Sequence, residues 1–241
     1  LQTFRVQRTV LGGCVVAEKG MPCLPKMRPL SRPNHFRLQP LRAEQLALPA
    51  RPGRCRVIGL RDGELRTNEI LCQPTVRGGV VISDPSRDLL KLAACNRYAE
   101  AAQPALALVH GLGLAAGALA ASVAHDSHHL ICVGSDDALM VQAANAVINH
   151  GGGLAALTAQ GEMAVMPLPV AGLMSSESCE VAAEQYRQVT AMARFCGCHL
   201  GAPFMALSFL ALPVIPALKL TDRGLFDALR FQPVDFWLDG Q

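Results

Sequence analysis

Ser122-Val-Ala-His125-Asp126-Ser127-His128-His129-Leu130-Ile-Cys-Val133 places three imidazoles, one carboxylate and two hydroxyls within eight positions, then runs directly into four apolar residues. The polar part follows neither the 3.6-residue period of an amphipathic helix nor the alternation of a half-buried strand. Leu130–Val133 is a β-type run, and a polar knot ahead of a strand is where a scaffold presents side chains at a strand end. Two readings stand at this point. The knot is a loop whose His and Asp groups cap one another and the backbone, or it is a site of chemistry.

Outward from the knot, helix and strand signals alternate. Ser135-Asp136-Asp137 offers a cap and an acidic first turn for a helix to about Asn149, closed by Gly151-Gly-Gly153. A hairpin is expected around Gln160-Gly161, then a helix from about Glu177 to Cys196. Toward the N-terminus, strand-like pieces occupy 105–110, 117–123 and 129–134. Ser86–Tyr98 reads as a helix with Ser86 as N-cap and an apolar stripe of Leu89, Leu90, Leu92 and Ala93. Cys55–Leu60, a piece near Leu65 and Gly78–Ser83 read as short strands, with Asp62-Gly63 as a turn. Residues 21–53 carry seven prolines and several arginines and are expected to be an extended connector. Residues 1–20 turn at Gly12-Gly13 and suggest a hairpin. The fold class expected is α/β (α+β): a layered mixed β-sheet with packed helices, preceded by a small β-sandwich-like segment. The divisions expected are 1–20, 21–53 and 54–241.

Composition bounds the function. With 51% hydrophobic and 17% charged residues, the chain has material for a sizeable core. Its net charge, 22 minus 19 or +3, gives no footprint for a nucleic-acid partner. The early basic residues Lys26, Arg28, Arg32, Arg37 and Arg42 are punctuated by proline and read as a solvated face. Nine cysteines, an odd number, fall in part within apolar runs. No secretory signal is read ahead of them, which points to reduced thiols and a cytoplasmic protein. Cys196-Gly-Cys198-His199 lacks a second Cys/His pair at zinc spacing, and the His-x-Glu with Pro-Cys-x-x-Cys signature of zinc deaminases is absent. No metal ligands are therefore assigned. Gly111-Leu-Gly113 meets neither nucleotide fingerprint and reads as a tight turn. Met163, Met166, Met174 and Met205 read as core filling. The apolar stretch 105–124 is broken by His110 and three glycines, so no membrane span is expected.

Five ordered blocks carry a resemblance. They are Gly113–His128, Asn145-Ala-Val-Ile-Asn-His-Gly-Gly-Gly153, Pro167-Leu-Pro-Val-Ala-Gly-Leu-Met-Ser175, Pro203–Pro216 and Leu218-Lys-Leu-Thr-Asp-Arg-Gly-Leu225. In order and spacing they resemble the C-terminal region of adenine deaminases of the amidohydrolase superfamily, most strongly from about Asp84 to Asp235. The resemblance implies hydrolysis of adenine to hypoxanthine and ammonia. It also implies a metal-centred N-terminal barrel with paired His ligands, a later His and a closing Asp. This chain has no His-x-His pair, and its first histidine is His35. It is therefore expected to begin just after the barrel, with Phe4–Gly20 as returning strands of the flanking β-sandwich.

On that analogy a divalent metal (manganese, iron or zinc) is held outside this chain. His125, Asp126 and His128 act as supporting catalytic groups, and Ser122 and Ser127 contact substrate. One departure stands out: the family's Asn after Asp-Ser-His is His129 here. The partners implied are adenine, the barrel of the same enzyme and further copies in a homo-oligomer. The alternative is a non-catalytic module that binds a small ligand or organises oligomers.

Overall fold

A computed structural model describes residues 5–25 and 31–238. Two compact units divide at Ser31/Arg32. In the first, β1 (Arg8–Leu11), β2 (Cys14–Glu18) and β3 (Met21–Pro22) form an antiparallel sheet. Gly12 and Gly13, both at positive φ, make the expected turn, and Arg8 pairs across it with Glu18 at 2.6 Å. Phe4, Lys26 and Arg28 lie outside the described residues.

The second unit carries β4 (Leu48–Pro49), β5 (Cys55–Gly59), β6 (Asn68–Cys72), β7 (Val76–Arg77) and β8 (Val80–Val81). Next come β9 (Leu90–Cys95), β10 (Ala105–His110), β11 (Gly117–Ala121) and β12 (Leu130–Gly134). Helix α1 (Asp137–Asn149) is followed by β13 (Gly153–Thr158), β14 (Met163–Pro167), α2 (Cys179–Phe195) and α3 (Pro203–Phe209). The unit ends with β15 (Leu218–Thr221), β16 (Gly224–Asp227) and β17 (Gln232–Pro233). Its main sheet has eight strands in the order β14-β13-β11-β12-β9-β10-β5-β6, and β10 with β5 is its parallel pair.

Side chains alternate between two buried faces. Ala93, Cys95, Ala118, Ala120, Leu130, Cys132 and Ala155 join Met140, Ala143, Ala144 and Val147 of α1. Leu92, Ala94, Leu119, Ala121, Ile131 and Val133 join Val189 and Ala193 of α2 and Leu207 of α3. The alanines on the first face let α1 approach the sheet closely. Asp136 caps α1 by accepting from the N–H groups of Ala138 and Leu139. Finally the chain returns to its first long strand: Arg56 N–H donates to Phe236 O at 2.8 Å, and Leu238 N–H to Arg54 O at 3.0 Å.

Two expectations are corrected. Ser86–Tyr98 is not a helix; Pro85–Arg87 is a 3-10 turn, and β9 is a central strand between β12 and β10. A strand buried on both faces reads as a continuous apolar run, whose leucines can match helical spacing by coincidence. Its one charge, Lys91, is fully buried and donates to Asp137 Oδ2 at 2.7 Å and Leu46 O at 3.0 Å. Residues 32–46 are indeed largely extended, yet they are not a mere connector. Leu38, Leu41 and Leu46 are buried in the core under α1, and Leu41 N–H donates to Asn145 Oδ1 at 2.7 Å.

Candidate functional site

The polar knot 122–129 joins antiparallel β11 and β12, whose ladder ends at Ala121 opposite Ile131. Its N-terminal side is anchored inside the fold. Ser122 is fully buried; its Oγ accepts from Gly153 N–H at 2.8 Å and donates to Gly172 O at 2.6 Å. Its hydroxyl is thus committed to backbone on both sides. His125 N–H donates to Ser208 O at 3.2 Å, and its ring lies against Phe209, centroids 4.7 Å apart. His128 N–H donates to Ala124 O at 2.6 Å, closing a turn in which His128 takes φ 51°. The rings of His125 and His128 meet edge to face at 5.6 Å. Asp126 and Ser127 are exposed at the tip.

Side chains from distant segments gather around the knot. Beyond β9, Asn96 Nδ2 donates to Asp222 Oδ2 at 3.1 Å, and the same oxygen lies 3.4 Å from His129 Nε2. Tyr98 packs its ring edge to face on His129 at 5.6 Å and donates its hydroxyl to Ser127 O at 3.4 Å. Arg97 is 4% exposed; Nη2 donates to Tyr98 Oη at 3.1 Å. Its guanidinium lies over the rings of Phe36 and Tyr98, at 5.6 and 4.9 Å. Gly172 must lack a side chain here, because a Cβ would collide with Arg97 Nη1.

Burial lowers the His128 pKa, His125 and Arg97 push the same way, and Asp126 opposes them. Burial also lowers His129, with Asp222 opposing and Arg97 adding to the shift. Both imidazoles are therefore held toward the neutral form, each with one N–H and one lone pair. Among the described residues, eight buried side-chain polar atoms lack a hydrogen-bond partner. Five of them (Arg97 Nε and Nη1, His128 Nδ1, His129 Nδ1 and Ser208 Oγ) surround this loop. These atoms are left to meet water or another molecule, so their concentration makes this loop the candidate site.

The sequence pattern singled out His125, Asp126, Ser127, His128 and Ser122, and the fold brings the rings of His125 and His128 together. Asn96, Arg97, Tyr98, Ser208, Phe209 and Asp222 were missed. A signal existed for the first three, which end an apolar run abruptly with polar groups. Asp222, 126 residues from Asn96, had none.

The other candidates are structural. Asp88 accepts from the N–H groups of Gly111 and Gly113 at 2.8 and 2.9 Å, which is the expected tight turn. Cys196 and Cys198 are buried, and burial pushes the Cys196 thiol up to about 11. Among the described residues no group of three or more His, Cys, Asp or Glu could hold a metal ion. The donor set present does not fit a catalytic metal.

Residues 64–232 match the family model of the adenine deaminase C-terminal domain. An adenine deaminase of Syntrophobacter fumaroxidans is 49% identical over 205 residues, 85% of this chain and 36% of that protein. Adenine deaminases of Salinibacter ruber and Methanothrix thermoacetophila are 44% and 40% identical, covering 99% and 98% of this chain. The chain spans 44% and 42% of the length of those two relatives.

Proposed function

The chain belongs to the adenine deaminase C-terminal domain family, and from that premise we propose that it is the C-terminal portion of an enzyme converting adenine to hypoxanthine and ammonia. In this reading the 122–129 loop closes over the substrate. The observation that carries it is the gathering of unpartnered polar atoms and near-neutral imidazoles around that loop. His125 and His128 offer ring N–H groups and lone pairs to the purine edge and to the proton carried to leaving ammonia. Asp126 and Ser127 sit at the tip, where a carboxylate can fix an imidazole tautomer and a hydroxyl can meet the base. Ser122 anchors the loop rather than touching substrate.

The metal of such an enzyme, manganese, iron or zinc, takes its ligands from residues beyond this chain. Those residues form the barrel that is this segment's partner. We place the enzyme in the cytoplasm as a homo-oligomer; no helix among the described residues is long and apolar enough to cross a membrane. A second reading, an oligomerisation module, draws on a groove of about 580 Å³ between β14 and α2, lined by Met163, Val165, Met192 and Phe195.

The test is made in the complete enzyme. His125→Ala, Asp126→Ala and His128→Gly should each lower ammonia release from adenine on the order of 100-fold with little change in thermal midpoint. Early melting with normal turnover per folded molecule would sink the reading.

A further inference from the structure

Asp222 lies in the β15–β16 turn, far in sequence from the loop it meets. One oxygen, Oδ2, faces His129 Nε2 at 3.4 Å and accepts from Asn96 Nδ2 at 3.1 Å. It thereby joins the end of β9, the last loop residue and the C-terminal hairpin. With a carboxylate at Nε2, the neutral His129 ring carries its proton there. His128, the preceding residue, stands at φ 51°. A non-glycine residue in the left-handed region is strained, and such a conformation persists only where its surroundings over-determine it. On one side His128 is fixed by its N–H bond to Ala124 O at 2.6 Å. On the other, what fixes it is His129, wedged between Tyr98 and Asp222.

We propose that Asp222 is a positioning residue: by gripping His129 it holds His128 left-handed, with its ring against His125. This rests on the reading of the loop as part of the active site. It also gives His129 a job that a glutamine could do, since its amide nitrogen takes the place of Nε2 and offers an N–H to the carboxylate. Position 129 then needs a donor and not a titrating ring.

The conformational half is measured on the 241-residue chain itself. The His128 amide–α-proton coupling and the ring-to-ring Overhauser effect between His125 and His128 should change in Asp222→Ala and in His129→Leu. Asp222→Asn and His129→Gln, which keep acceptor and donor in place, should leave both as in the wild type. In the complete enzyme Asp222→Ala should lower turnover by roughly tenfold or more, with KM less affected, and Asp222→Asn should restore most of it. Should Asp222→Ala fail to fold, His129→Leu carries the same comparison from the other side of the contact. Unaltered coupling and Overhauser effect in the alanine and leucine variants would overturn the clamp. Altered coupling with normal turnover would support the clamp and overturn the catalytic reading of the loop instead.

Discussion

His128 combines a depressed pKa, a left-handed backbone and a buried Nδ1 without partner. Each is a departure from what a surface-loop histidine needs. Glycine tolerates that backbone without the penalty, so His128→Gly should match or slightly exceed the wild-type thermal midpoint while abolishing what the ring does. Calorimetry and ammonia release on the same sample check both. The pH dependence follows from the shifts. Both His128 and His129 have folded pKa values below their unfolded value, so the unfolded chain binds protons first as pH falls. The stability they permit is complete above about 6.5 and is lost as pH drops toward the lowered values. Urea midpoints at pH 7.5 and 5.0 should show that loss, and His129→Asn should reduce it; an unchanged loss in that variant would exclude His129 as a source.

At the scale of elements, α3 and β15 brace the loop from behind. Lys219 on β15 is fully buried and donates to Leu65 O at 2.9 Å and to Phe209 O at 3.0 Å, the latter at the end of α3. Burial pushes its pKa down to about 8. Lys219→Met should leave Leu65 O without a donor and Phe209 O with only the Leu212 N–H at 3.3 Å, and cost about 1–3 kcal/mol, read from denaturant midpoints. Because Phe209 packs on His125, the same variant should shift the His125 ring resonances. The elements themselves were legible wherever local chemistry sets them. Asp136 with Gly151-Gly152-Gly153 bracketed α1, and Gln160-Gly161 marked the β13–β14 turn. β9 was not legible, because burial on both faces erases alternation, and its buried lysine is balanced by Asp137, 46 residues away. The site divides the same way. Its histidines lay in one short stretch, whereas Asp222 and Ser208 meet them only through tertiary packing.

For the molecule as a whole, the nine cysteines are free. Three, Cys14, Cys23 and Cys179, are exposed, so native alkylation should modify these first and denaturation should release all nine. Protected pairs under non-reducing conditions would contradict this. The 241-residue chain alone should release no ammonia from adenine with manganese, iron or zinc supplied, since its described residues hold no ligand set; turnover surviving rigorous purification would refute that. The return of the last segment to β5 bears on synthesis. Arg56 donates through Nη1 to Asp235 O, 179 residues later, at 2.9 Å, and His129 waits for Asp222. On the ribosome both would stay open until residues 222 to 236 have emerged. A stop codon just after Pro233 should therefore leave the Arg56 amide, which Phe236 O otherwise accepts, exchanging quickly while the rest of β5 stays protected between β10 and β6.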